Sequence, residues 1–257
     1  MLSHLALFLL LSVVSYFFLV TRGTLIYRQL TSDHSDKSHV YWVYTVHRLI
    51  SLSDQKLFVS AVLLFQYNRL VNRVVEEIQK VELSGKSLLV TSCAFGDLLP
   101  KVVAAAMRGG ASRVFITDII QNELKRAEQK LNGYEGGFEL IEADATCMQF
   151  DNEFADLNIL FFLLHELPDD AKLAAVTEAV RLVRPGGKLI IAEFHRPHSL
   201  LLRTLGRIYF TVFEPYALTV WNRSDPKRML DARDGWDTRR VTHFMGNFQV
   251  VVATKSM

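Results

Sequence analysis

Ser87-Leu88-Leu89-Val90-Thr91-Ser92-Cys93-Ala94-Phe95-Gly96-Asp97 decides the fold. An apolar run gives way to small residues and a glycine, and a helical pattern begins at Asp97. A short apolar run bounded by turn signals fits a strand buried on both faces. The same unit recurs downstream. Residues 113–117, 137–142, 157–162 and 188–193 read as further strands. Residues 97–107, 120–131 and 169–183 read as the helices between them. Such alternation predicts an α/β fold with a parallel sheet covered on both faces. Right-handed crossovers make it doubly wound. Residues 237–242 and 248–253, around Gly246-Asn247, predict a closing antiparallel hairpin.

The chain has 257 residues, with 29 Lys plus Arg against 27 Asp plus Glu, a formal net charge of +2. That balance leaves no basic footprint, so nucleic acid is not an expected partner. The two cysteines, Cys93 and Cys147, cannot build a disulfide scaffold or, by themselves, a cysteine-rich zinc site. Residues 1–21 contain no Asp, Glu, Lys or Arg. As a helix, residues 5–20 span about 24 Å, just short of a hydrocarbon core of ~30 Å. They are expected to be an uncleaved hydrophobic anchor, with a buried core helix as the alternative. Arg22 and Arg28 follow it. The positive-inside rule then puts the remainder on the cytoplasmic side of a bacterial inner membrane, or on the matrix side of a mitochondrial one. Residues 22–85 read as a linker and a helical cap, with 31–38 polar and 40–80 helical. Residues 86–257 form the main domain. Inserted in it, 198–240 holds an apolar stretch to Trp221 and then a charged loop. The apolar stretch is either a core helix with a lid or a surface facing lipid or a hydrophobic substrate.

Ligands of open α/β sheets bind at the carboxyl ends of the strands. Asp118, beside Ile119 at the second strand end, is placed to accept both hydroxyls of a ribose. Asp144, beside Ala145 at the third, is placed to accept from an adenine amino group. Each of these aspartates is otherwise a helix N-cap or a turn residue. The fourth strand end brings Phe161, His165 and Glu166, and the fifth brings Glu193 and His195. Arg184-Pro185-Gly186-Gly187 predicts a tight turn ahead of the fifth strand.

This order and spacing resemble the class I S-adenosylmethionine (SAM)-dependent methyltransferase fold. The resemblance implies a Rossmann-like, mostly parallel seven-stranded sheet with the antiparallel hairpin at its end. That fold usually opens with an acid followed by Gly-x-Gly-x-Gly. Here Val90 stands at the acid's position, Ser92 and Ala94 replace the first two glycines, and Gly96 remains. The stretches YWVYTVHR (41–48), TSCAFGD (91–97), LFFLLHELPDD (160–170) and AEFHRPH (192–198) together resemble the rhodoquinone-biosynthesis family.

The resemblance implies conversion of ubiquinone to rhodoquinone, a ring methoxy group giving way to an amino group. SAM would supply the nitrogen and manganese would be required. It assigns SAM contacts to Ser92, Cys93, Ala94, Gly96, Asp118, Ile119, Asp144, Ala145 and Phe161. His165 and Glu166 are the candidates for proton transfer. Glu193 and His195 are the candidate manganese ligands, since that ion prefers oxygen and imidazole. Tyr41, Tyr44 and His47 fall near one helical face and are candidates to close over the quinone. Two other functions fit parts of the pattern. One is a conventional methyltransferase acting on a quinone or another lipid; the other is a non-catalytic quinone-binding assembly protein.

Overall fold

The computed structural model describes residues 54–134, 136–214 and 216–257, together with Leu7, Phe8, Leu11, Ser12, Val14 and Ser15. Counting from residue 54, the helices are α1 (Lys56–Val62), α2 (Tyr67–Gln79), α3 (Leu98–Arg108), α4 (Gln121–Lys130), α5 (Asp169–Leu182), α6 (Leu200–Phe213), α7 (Ala217–Val220) and α8 (Pro226–Asp231). The strands are β1 (Ser87–Thr91), β2 (Arg113–Asp118), β3 (Phe138–Glu142), β4 (Ala155–Phe161), β5 (Val183–Phe194), β6 (Trp236–His243) and β7 (Phe248–Lys255).

The strands form one sheet in the order β3-β2-β1-β4-β5-β7-β6. The first five run parallel, while β7 is antiparallel to β5 and β6 to β7. The sheet is therefore the mixed, Rossmann-like one expected. The chain leaves β1 toward β2 and β3, then returns to β4 on the other side. That reversal opens a crevice at the carboxyl end of β1.

The expected turn ahead of the fifth strand is spliced into the strand. Ala155 pairs with Val183 but Leu157 with Lys188, so residues 184–187 bulge out of an otherwise continuous β5. Glycine is required there, because a Cβ on Gly187 would lie 2.8 Å from the carbonyl oxygens of Arg184 and Asp156.

The helix expected over 40–80 is also interrupted. Residues 40–53 lie outside the described residues, α1 ends at Val62, and Leu64 and Phe65 take φ of 50° and 58° before α2 begins. Left-handed backbone at two bulky residues turns the chain so that α2 lies on the sheet. Tyr67, Leu70, Val71, Val74 and Ile78 are then wholly buried. Each such burial stabilises by roughly 1.5–3 kcal/mol as an upper estimate.

The expected anchor over 1–21 falls almost entirely outside the described residues. Among the described residues no helix is long and apolar enough to cross a membrane. Of the 198–221 stretch, α6 packs one face on the core and leaves the other exposed. Its inner face sets Phe210 against Phe194 and Trp221. Leu201, Leu205, Ile208 and Val212 stay exposed on the outer face. The charged stretch after it is not simply a loop. Asp225 caps α8, with Pro226 at its first turn, and β6 follows.

Candidate active site

The β1–α3 loop keeps a glycine-like path with a single glycine. Ser92 takes φ of +78°, as does Gly96. The left-handed region costs a non-glycine residue roughly 1–2 kcal/mol. Part of that is offset by Ser92 Oγ, which donates to Asp118 Oδ2 at 3.3 Å. Three groups from outside the sheet brace the loop. Gly96 N donates to Asp54 Oδ1 at 2.7 Å. The Tyr67 hydroxyl donates to the Phe95 carbonyl at 3.1 Å. Lys130 Nζ donates to Asp54 Oδ1 and to the carbonyls of Ala94 and Gly96. Arg126 Nε donates to the other Asp54 oxygen at 2.8 Å. Sequence reasoning missed this ion cluster because Asp54 is far from its partners in the chain. The readable signal was the run Glu123, Arg126, Lys130, at i, i+3 and i+7 on one face of a predicted helix.

At the end of β2, Asp118 is buried and fully engaged by backbone. Cys93 N donates to Oδ2 at 2.7 Å and Ile120 N to Oδ1 at 2.9 Å. Burial pushes its carboxyl up to about 6, against the pull of those hydrogen bonds. Asp118 thus closes the turn at the crevice end of β2; Oδ2 is taken by Cys93 N and Ser92 Oγ, while Oδ1 keeps a lone pair beside Ile120 N. Ile119 beside it is 44% exposed, an apolar surface at a strand end. Asp144 is exposed and accepts from Thr146 N and Oγ1 at 2.8 and 2.7 Å, so it also closes a turn. Ala145 packs beneath it, and Cys93 and Ala94 are buried in the loop. Phe161 packs edge-on against Tyr67. Val90 is wholly buried, so no acid stands at the end of β1.

At the ends of β4 and β5, Glu193, His165 and Glu166 form a line. Glu193 has no exposure and accepts from His165 N at 3.1 Å and Phe194 N at 2.7 Å. His165 Nδ1 lies 3.2 Å from Glu193 Oε1. His165 Nε2 is 4.0 Å from Glu166 Oε1. The rings of Phe162 and Phe194 stand edge-on to the imidazole. Burial alone would lower the His165 pKa. The Glu193 carboxylate reverses this by charge and hydrogen bond, and the ring is pushed up to about 9. At neutral pH His165 therefore holds a proton to give, rather than a site to take one.

The described residues give no support to manganese on Glu193 and His195. The Glu193 oxygens are committed to His165 and to Phe194 N. His195 lies with Nδ1 2.7 Å from the Gly246 carbonyl and Nε2 2.9 Å from Arg240, and burial lowers its pKa. Neither residue offers a free donor to an ion. Among the described residues no three His, Cys, Asp or Glu side chains gather to hold one. Tyr41, Tyr44 and His47 lie outside the described residues.

Residues 37–229 match the ubiE/COQ5 methyltransferase family. The chain belongs to that family. Among its relatives, the ubiquinone/menaquinone biosynthesis C-methyltransferase UbiE of Pseudomonas putida is 32% identical over 153 residues, 58% of this chain and 57% of that protein. The chain thus spans less than two thirds of that relative's length. A SAM-dependent methyltransferase from Aquifex aeolicus superposes with a TM-score of 0.57 at 18% identity, over 82% of this chain and 98% of that one. The [4+2]-cyclase SpnF superposes at 0.54 and 14% identity, over 72% and 80%. These likenesses show the fold alone.

Proposed function

We propose that the protein binds SAM along the β1–β4 strand ends and replaces a ring methoxy group of a ubiquinone-class quinone by an amino group, giving rhodoquinone. The observation that supports this most is where the site departs from the pattern of its fold. The nucleoside end keeps Asp118, Ile119 and Asp144. The departures, Val90, Ser92 and Ala94 with the Asp54–Lys130 brace, are confined to the end that meets the amino acid part of the cofactor. In a methyl transfer that amino group is a bystander; in an amino transfer it reacts.

The described residues fit the cofactor. Asp118 retains acceptor capacity for the ribose and Ile119 presents an apolar face for the adenine. When bound, SAM would supply the nitrogen: the methoxy-bearing ring carbon, a vinylogous ester centre, loses methanol, water cleaves the Cα–N bond, and the two electrons given up as Cα becomes a carbonyl reduce the quinone, so that rhodoquinone leaves as its hydroquinone. Glu193 holds the His165 ring in place through Nδ1. His165 then supplies the proton that the departing methoxide takes up. Glu166 stands next to Nε2 to accept a proton as the amine adds. The phenylalanine rings around His165 keep water from competing as the acid. The quinone tail is long and apolar, and the outer face of α6 gives it and the bilayer a matching surface. On this reading the protein works at a membrane, on its cytoplasmic or matrix side.

Similarity to UbiE favours a second reading, ring C-methylation of a quinone. Nitrogen-15 from the SAM amino group in the quinone product supports the first reading. A labelled methyl group in the product from methyl-labelled SAM establishes the second instead.

A further inference from the structure

The first turn of α4 carries a carboxyl group that nothing else in the described fold uses. Glu123 is 2% exposed, and neither of its side-chain oxygens has a hydrogen-bond partner. Charged groups face it from several elements: Asp118 from the end of β2, Lys130 from its own helix, Asp54 from the segment ahead of α1, and Glu166 from the turn after β4. Three of these four are acids. The one cation, Lys130, already spends its donors on Asp54, Ala94 O and Gly96 O. A buried, unpaired carboxyl of this kind destabilises the free protein. Burial first, then Asp118, pushes its pKa up to about 9, so at neutral pH it stays protonated.

Its place in the fold points to a ligand. Asp118 and Glu166 stand at the ends of β2 and β4, the two neighbours of β1 in the sheet. Seven residues on and on the same face of α4, Lys130 bonds the carbonyls of Ala94 and Gly96, so the face that carries Glu123 runs along the β1–α3 loop. That loop follows the strand end where Val90 has left the site without an acid.

We propose that Glu123 is the acidic partner of the cofactor's amino group, standing in for the acid absent at Val90. This rests on the SAM-binding reading above. An arriving ammonium group stabilises the carboxylate, so Glu123 gives its proton to solvent and accepts the ammonium N–H bonds. No covalent bond changes in this step.

The test is calorimetry on the full chain near pH 7.5, in two buffers of different ionisation enthalpy. The probes are S-adenosylhomocysteine and methylthioadenosine, which lacks the amino acid part. The wild type should release about one proton on binding S-adenosylhomocysteine and none on binding methylthioadenosine. Glu123→Gln should bind S-adenosylhomocysteine roughly 30-fold more weakly, with the proton release gone and methylthioadenosine affinity unchanged. Three results overturn the proposal: no proton release by the wild type, a variant that keeps both wild-type affinity and release, or equal loss of both ligands. If the variant does not fold, the wild-type proton count decides alone. If the wild type binds neither nucleoside, the SAM-binding reading fails first and Glu123 loses its ligand with it.

Discussion

The two halves of the crevice are built by different means. At the β2 end, Asp118 is held by Ile120 N, two residues on in its own turn, and by Cys93 N in the loop after the neighbouring β1. At the β1 end, the loop owes its shape to Asp54, Tyr67 and Lys130, which lie tens of residues away in the chain. The first half uses only a strand end and the loop beside it in the sheet, and it matches what its fold usually carries. The second is assembled from afar around residues that depart from that pattern. On the proposed reading, recognition of the nucleoside is kept while the surroundings of the amino group differ, and an altered reaction would need changes in that second half.

The sharpest break of this comparison is at the reacting end. His165→Ala or Glu166→Ala should lower quinone product by about 10²-fold or more, from the usual scale of acid–base catalysis. S-adenosylhomocysteine affinity should stay near wild type. Product yield that survives both changes would remove the line from the chemistry. Next comes the nucleoside end. Asp118→Ala should weaken S-adenosylhomocysteine binding by 1.5–3 kcal/mol, on the order of 10- to 100-fold, if it accepts the ribose hydroxyls. In the wild type, affinity should fall as the pH drops through about 6 and Asp118 takes up its proton. A flat profile in titrations between pH 5 and 7 would contradict that role.

The brace itself predicts a smaller effect, on stability. Gly96→Ala places a Cβ 2.4 Å from the Tyr67 hydroxyl at a φ of +78°. It should destabilise by about 1–3 kcal/mol, read as a lower denaturation midpoint. The His165–Glu193 pair adds a pH signature. The folded pKa of His165 is about 9, above the ordinary 6.5. Its contribution is therefore fully present below pH 6.5 and is lost as the pH rises through 9. Unfolding of Glu193→Gln should lack that slope. The smallest effect belongs to the outer face of α6. Leu205→Glu with Ile208→Glu should reduce sedimentation with lipid vesicles several-fold without changing the fold. Unchanged sedimentation would assign that face another partner.

The parallel sheet and the closing hairpin were legible because buried strands announce themselves as apolar runs between turn residues. The 184–187 bulge was not, since Pro-Gly-Gly signals a turn and cannot tell whether the strand resumes on the same line. The break at Leu64 and Phe65 was invisible for a stronger reason: no glycine or proline marks it, and packing of α2 on the sheet imposes it. At the site, Asp118 stood out because strand ends can be counted. Glu123 did not, because a Glu in the first turn of a polar helix reads as a favourable charge at the helix N-terminus. Only its burial shows otherwise. For Glu193, sequence shows a carboxylate at a strand end but not the His165 and Phe194 N–H groups that already bond to it.

Tyr67 gives the loop brace a consequence for motion. Its hydroxyl joins α2 to the loop at the Phe95 carbonyl, and its ring lies against Phe161. Local opening of α2 and occupancy of the crevice are therefore linked equilibria: whatever favours one state of the loop favours the matching state of the helix. Amide hydrogens of α2 should exchange more slowly when the crevice is filled. The helix would then report on what fills the crevice.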